Sequence, residues 1–359
     1  METRVVPIAR DRIDELVQFF IETDEVIPDR AAEVWPERVK LWWERNPFMP
    51  SDWTCGWALE NEDGEIVGFF GQIPVPFQVH GKPRITHWTT AFRVRKPYRG
   101  QGEDLRRAAL EDAKGSIIFA NSTIDRLLYR VKRYYMLVPR WELNYDVRRV
   151  SLAVGNGASV LRRIGVPQPF PKLAGRLVEI LQRIWLTPLH RPSTYAVRRI
   201  KRVDDQFQEL WSRTRVRYEN TQLRTAEYLR WMMSGPPQKP RVLLGCYDPG
   251  GTLVGYLLAM PKEPTGGITL LVIDLWVDEP RQEITRALVA GVIDFARVYE
   301  YGLVDLFHFT DEIGGWCKRW RLPSQAKPPR KDHYRVDDYD SCNFRHSNSY
   351  FTYEGDYVL

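Results

Sequence analysis

Apolar residues recur along this chain with two periods, and the switches between them outline an α/β protein. From residue 57 to 79 (WALENEDGEIVGFFGQIPVPFQV) two apolar runs flank an Asn-Glu-Asp-Gly turn, which predicts a β-hairpin. A third strand is expected from about Ile85, with Thr90, Phe92 and Val94 alternating and Pro97 ending the run. The period then lengthens. A helix is predicted over 102–114, a buried strand over 116–123 (SIIFANST), and another helix over 124–138 from the spacing of Ile124, Leu127, Leu128 and Val131.

After residue 203 the same order returns. A helix over 225–240 closes on Gly-Pro-Pro much as 38–50 (RVKLWWERNPFMP) closes on Asn-Pro. VLLGCYDP and GTLVGYLLAM pair across Asp248-Pro249-Gly250-Gly251. Residues 268–280 supply a third strand, 283–300 an amphipathic helix and 303–309 a further strand. This shared order marks either a tandem repeat or the chance echo that any α/β chain can show. Between the halves, prolines 167, 169, 171, 188 and 192 punctuate a stretch whose helix, 172–189, carries Leu173, Leu177, Ile180, Leu181 and Ile184 on one face.

Composition fixes the scale. With 359 residues and 43% hydrophobic content, the chain can bury two cores, which places domains at 1–154 and 203–359 with a basic, Pro-rich junction at 155–202. No apolar run approaches 18 residues, so no spanning helix and no secretory signal is expected, and the location implied is cytoplasmic. Cys55, Cys246, Cys317 and Cys342 share no CxxC spacing and read as reduced thiols, with no metal site expected.

Candidate chemistry concentrates in residues 90–110, TAFRVRKPYRGQGEDLRRAAL. A strand runs into a basic turn whose Gly100 and Gly102 can take positive φ or admit a ligand closely. The helix that follows offers unpaired N–H groups and a dipole that favours phosphate. The spacing is neither a P-loop nor the dinucleotide fingerprint. It resembles the acyl-CoA pyrophosphate loop of the GNAT-type N-acyltransferases, Arg/Gln-x-x-Gly-x-Gly/Ala. Asp104 stands where that pattern has Gly or Ala, and its carboxylate would repel a diphosphate by roughly 1 to 4 kcal/mol at about 4 Å unless it turns to solvent or pairs with Arg106 or Arg107.

The order of elements is similar to that family's as well. LWWERNPF (41–48) and IVGFFGQIPV (66–75) resemble bacterial members associated with polysaccharide and cell-envelope biosynthesis. The resemblance implies two GNAT-like domains in tandem, each a mixed, mainly antiparallel twisted sheet with helices on both faces. In the second, the turn DEPRQE (278–283) lacks glycine and carries three carboxylates, so its cofactor loop is degenerate. The resemblance further implies an N-acyltransferase with acetyl-CoA or another acyl-CoA as co-substrate and a small amine, such as an amino sugar, as acceptor. Pyrophosphate donors would be Arg99, Gly100, Gln101, Gly102 and Glu103, and thioester contacts would fall at Phe92, Arg93 and Val94. Tyr129, in competition with Tyr134 and Tyr135, stands near the family's thiolate-protonating tyrosine, and Asn121 with Ser122 near the pantetheine arm. Glu60, Glu62, Asp63 and Glu65 are expected in solvent, and His87 as a packed strand residue or a base.

The net charge of +6 agrees with an anionic partner, whether CoA, acyl carrier protein or lipid headgroups, and no nucleic-acid motif accompanies it. The basic helix 172–189 either packs the junction or makes peripheral contact with a membrane surface. Two other classes stay open: a Fem-like transferase using aminoacyl-tRNA or carrier-bound acyl chains, and a silent scaffold whose aromatic groove binds a glycan. The tail, with His346, Tyr350 and Asp356, is expected by analogy to fold over a pocket.

Overall fold

The computed structural model describes residues 2–25, 27–112, 118–121, 141–145, 148–155, 170–236, 240–262, 269–279, 281–308, 310–322, 324–326, 330–335 and 349–350. The expected helix at 124–138, Cys342, His346 and Asp356 lie outside them.

In the first half, β1 (Arg4–Ile8) pairs antiparallel with β2 (Gly56–Glu60), β2 with β3 (Ile66–Val79) and β3 with β4 (Lys82–Val94). Helices α1 (Ile13–Thr23) and α2 (Ala31–Val39) fall between β1 and β2, and α2 continues as a π-helical turn through Glu44. The third strand begins three residues before the expected Ile85. His80 and Gly81, both at positive φ, make a two-residue turn of the kind that matches strand twist, so charged Lys82 and Arg84 are already in the ladder. Helix α3 (Gly102–Asp112) then leads to β5 (Ile118–Asn121), followed by β6 (Trp141–Tyr145) and β7 (Arg148–Ala153).

In the second half, α4 (Phe170–Leu186) precedes β8 (Ala196–Ile200), α5 (Asp205–Thr214), β9 (Asn220–Gln222) and α6 (Ala226–Met233). Strands β10 (Val242–Tyr247), β11 (Leu253–Lys262) and β12 (Thr269–Val277) lead to α7 (Gln282–Val298), β13 (Leu303–His308) and α8 (Asp311–Arg319). Three short strands end the described chain, β14 (Ser324–Ala326), β15 (Arg330–Arg335) and β16 (Ser349–Tyr350).

Sheet membership does not follow the order of the chain. The first sheet runs β1-β2-β3-β4-β5-β15-β6, with β9 and β16 attached through β3, and the second runs β14-β7-β13-β12-β11-β10-β8. Thus β15, from near the carboxy terminus, lies between β5 and β6, while β7, from before the junction, lies between β13 and β14. The first sheet thus takes β9, β15 and β16 from the second half, and the second takes β7 from the first. A continuous core fills the space between the sheets, with Phe20, Trp35, Trp42 and Trp43 from one side and Trp211, Trp231, Tyr256 and Trp276 from the other. Trp231 Nε1 donates to the Leu41 carbonyl at 2.9 Å across this seam, and Gln78 Nε2 donates to the carbonyls of Arg215 and Tyr218. Helix α3 covers the outer face of the first sheet, and α7 with α8 covers that of the second.

Candidate active site

The site begins with one extra residue. Gly68 opposes Val94 and Phe69 opposes Arg93, yet Gly71 opposes Thr90, so Ala91 and Phe92 together face a single residue of β3. Ala91 sits at φ 50°, a left-handed conformation unusual for a residue with a Cβ. This bulge reverses the side-chain alternation after it. Thr90, Phe92 and Val94 therefore do not share a face, as the sequence periodicity suggested. Thr90 contacts the space beside Gly71 near Phe69, whereas Phe92 and Val94 lie under the start of α3, against Gly102.

Just before the bulge, β4 parts from the described end of β5. Among the described residues, β4 and β5 pair in parallel at His87↔Ile118 and Trp88↔Phe119, and Ala120 and Asn121, which pair with β15, do not continue that ladder along Thr89 and Thr90. Thr90 Oγ1 is buried in this stretch with no hydrogen-bond partner. A strand that leaves its ladder presents unpaired main-chain groups, which a ligand lying between the strands can engage.

At the open end lies the basic turn, a 3₁₀ segment from Lys96 to Gln101 that feeds α3 directly. Neither Gly100 nor Gly102 is among the glycines at positive φ, so of the two reasons expected for them only close approach is left. A Cβ on Gly102 would come within 3.0 Å of Phe92 Cζ and 3.3 Å of Val94 Cγ2, so this glycine lets the helix sit close on the strand. A Cβ on Gly100 would meet nothing within 4 Å, so that face of the turn is open to a ligand. Asp104 is half exposed and pairs loosely with Arg107 at 3.8 Å, on the solvent side. The carboxylate that departs from the family pattern thus finds the escape open to it. Glu103 pairs with Arg106 at 3.3 Å, and the Arg106 guanidinium lies 4.2 Å from the centroid of Phe92.

The other basic residues divide by burial. Arg93 reaches Asp24 Oδ2 at 3.2 Å and stacks 4.6 Å over Trp35, whose Nε1 donates to the same carboxylate at 2.6 Å. Its side chain ties α1 and α2 to the bulged strand. Arg95 pairs with Glu22 at 2.7 Å. Lys96 and Arg99 share Glu25 at 4.0 and 3.8 Å, loose and exposed pairs that a diphosphate could replace with little loss. Gln101 accepts from Thr3 Oγ1 at 2.9 Å, which holds the turn against the amino-terminal strand. Among the hairpin carboxylates, Glu60 is not solvated as expected: it is buried and accepts from Arg4 and Arg12 at 2.9 and 2.6 Å.

Just inside the point of parting lies His87, buried and stacked 4.0 Å from Trp53. Gln72 Nε2 donates to the Ala109 carbonyl, leaving its Oε1 to accept from His87 Nδ1 at 2.5 Å. Burial depresses the imidazole pKa to about 4, so the ring is neutral at physiological pH. Nothing in the sequence pattern marked Gln72 as its partner, because the contact crosses two strands.

Solved structures are similar to this chain in fold. A GCN5-related N-acetyltransferase from Anabaena variabilis is similar over 93% of this chain and 73% of its own, at TM-score 0.59 and 11% identity. The N-myristoyltransferase of Saccharomyces cerevisiae, solved with bound myristoyl-CoA, is similar over 96% of this chain and 87% of its own, at TM-score 0.57 and 13% identity. A probable N-acyltransferase from Enterococcus faecalis covers 94% of this chain at TM-score 0.58 and 12% identity. The chain has the GNAT fold. No protein-family model and no curated protein sequence matches it.

The second sheet places an antiparallel run β8-β10-β11-β12 beside the parallel pair β12-β13, the same pattern as β1-β2-β3-β4 beside β4-β5 in the first. Strands β12 and β13 pair in parallel from Thr269↔Leu303 to Val272↔Leu306, and Ile273 is then the extra residue against β11. Past it, the end of β12 borders a small open cleft lined by Arg217, Tyr218, Trp276, Thr285, Glu312 and Trp316. Here the bulge is plugged: buried Arg224 lies 3.0 Å from Asp274 and 4.3 Å over Trp276, and Tyr256 donates to the same carboxylate. The turn that follows is acidic, with Asp278 paired to Arg213 and Glu279 to Arg281.

Of the residues singled out by sequence, Phe92, Arg93, Val94, Arg99, Gly100, Gln101, Gly102 and Glu103 form one continuous strand-turn-helix corner. Asn121 is the last residue of β5 and pairs through its backbone with Asp332 of β15. Tyr129, Tyr134, Tyr135 and Ser122 lie outside the described residues. Cys55, Cys246 and Cys317 are free and buried, and burial pushes each thiol up to about 12, which leaves them unreactive. Among the described residues no cluster of His, Cys, Asp and Glu could hold a metal, and no helix is long and apolar enough to cross a membrane.

Proposed function

We propose that the protein transfers an acyl group from a CoA thioester to an amine, using the wedge between β4 and β5. The observation that carries this is the coincidence, in one corner, of a bulged strand that parts from the described end of β5 and a glycine-open basic turn at its exit. The turn from Arg99 to Glu103 and the amino terminus of α3 would hold the diphosphate. The pantetheine would then run along β4 past Phe92, placing the thioester at the bulge. Parallel pairing closes the wedge at Trp88, three residues beyond Ala91 and so about 10 Å further along the strand, which favours acetyl or another short acyl group.

The step needs no covalent enzyme intermediate. The amine nitrogen attacks the carbonyl carbon, the oxyanion is held by main-chain N–H groups at the bulge, and the C–S bond breaks. The nitrogen loses its proton to water or a base, and the thiolate takes one up, a role for which Tyr129 is proposed on its place in the chain. His87 is neutral and adjacent to the wedge, so it can accept a hydrogen bond or a proton only transiently. Asp104, turned outward, counts against a scaffold that has ended cofactor binding. The second half, with an acidic turn and a plugged bulge, would not hold the donor. The acceptor class is a small amine such as an amino sugar, and the setting is the cytoplasm, where acyl-CoA is made.

A thiol-release assay with acetyl-CoA and a panel of amino sugars and small diamines tests this. Free CoA should appear in the presence of one amine class, in step with a new amide. Equal slow thiol release with and without every amine would overturn it.

A further inference from the structure

Helix α4 is mounted with its apolar side outward. Leu177, Ile180, Leu181 and Ile184 are 59, 52, 56 and 64% exposed, and their i, i+3, i+4, i+7 spacing makes them one stripe. The opposite side does the anchoring. Gly175 and Leu186 are buried, Leu186 and Leu189 belong to the core under the second sheet, and Trp185 Nε1 donates to the Arg321 carbonyl at 3.1 Å. The orientation is therefore fixed by packing, and it is the reverse of what a helix covering a core adopts. Among the described residues nothing covers the stripe, which argues against junction packing by the apolar face, one of the two roles open to this segment from its sequence.

Charge indicates the occupant. Arg176 and Arg183 are both exposed and both about a quarter-turn round from the stripe, on the same flank. Glu179 lies toward the anchored side by the same geometry. Exposed Arg191, Arg198, Lys201 and Arg202 follow the helix in sequence. A second copy of this chain would bring its own +6 to the contact, whereas an anionic surface neutralises the charge already there. We propose that α4 is an interfacial helix that seats the protein on an anionic lipid surface. Its 17 residues, about 25 Å long, lie flat, the four aliphatic side chains enter the acyl boundary, and Arg176 and Arg183 reach headgroup phosphates along their aliphatic stems. This does not depend on the acyl-transfer assignment.

Co-sedimentation of the full chain with vesicles tests it, using phosphatidylcholine alone and phosphatidylcholine mixed with phosphatidylglycerol. Binding should be confined to the anionic vesicles and should weaken as salt rises. Leu181→Asp should lower the partition at least about tenfold, and Arg176→Gln or Arg183→Gln about fivefold each. All three side chains are exposed, so melting temperatures should stay at the wild-type value, which separates lost binding from lost folding. Three results would overturn the proposal: recovery in the supernatant with anionic vesicles, equal binding of Leu181→Asp and wild type, or light scattering that shows a lipid-free dimer which Leu181→Asp makes monomeric.

Discussion

Two glycines separated by one residue have different physical reasons to be glycine, and the sequence alone could not tell them apart. Gly102 is set by Phe92 and Val94 beneath it, while Gly100 borders open space. The distinction depends on how closely α3 sits on β4, which is a tertiary distance. His87 is a parallel case. Its residue type suggested either a packed ring or a base, and the environment that decides comes from Gln72 and Trp53 on other parts of the chain. Burial lowers its pKa from 6.5 to about 4. A folded-state pKa below the unfolded value means that the unfolded chain binds the proton more readily, so this contribution is complete above about pH 6.5 and is lost as pH falls toward 4. The loss from this ring should reach about 3 kcal/mol by pH 4, and His87→Gln should flatten that part of a urea-denaturation pH profile. An unchanged profile in the variant would show that the ring titrates normally.

Elements were legible wherever local pattern dictates them. The β2–β3 hairpin, α3, α4, the β10–β11 pair, β12, α7 and β13 all fall close to their apolar periods. The bulges were not. Ala91 and Ile273 interrupt β-compatible sequence without a glycine or proline to mark them, since what makes them bulges is the count of residues on the facing strand. The bulge in the second half carries a buried polar network, Arg224, Asp274 and Tyr256, in which every carboxylate contact replaces lost water. Removing one partner leaves a charge uncompensated in the interior. Asp274→Ala should therefore destabilise the fold by about 3 to 5 kcal/mol, read as a lower denaturation midpoint at unchanged slope. A change within about 0.5 kcal/mol, the range of an ordinary surface substitution, would contradict it.

At the scale of the whole molecule, the least legible feature was the exchange of strands between the halves. Residues 148–153 and 330–335 read as ordinary polar or aromatic stretches, and nothing local says which sheet they complete. Their placement makes the halves interdependent. A chain truncated after residue 320 lacks the strand between β5 and β6, leaving two edges unpaired. It should aggregate or lose its cooperative melt in size-exclusion and thermal-scanning experiments, and a monodisperse, cooperatively melting truncation would refute the interdependence. The role proposed for the turn from Arg99 to Glu103 is narrower, to hold the diphosphate of an acyl-CoA at the open side of Gly100. Calorimetric titration of acetyl-CoA into wild type and Gly100→Glu addresses it directly, because the new side chain enters empty space and puts a carboxylate where phosphate should lie. Wild type should bind, and the variant should bind at least about tenfold more weakly with an unchanged melting temperature, a difference of about 1.4 kcal/mol. Equal affinity in the two proteins, or no heat of binding in wild type, would contradict the account.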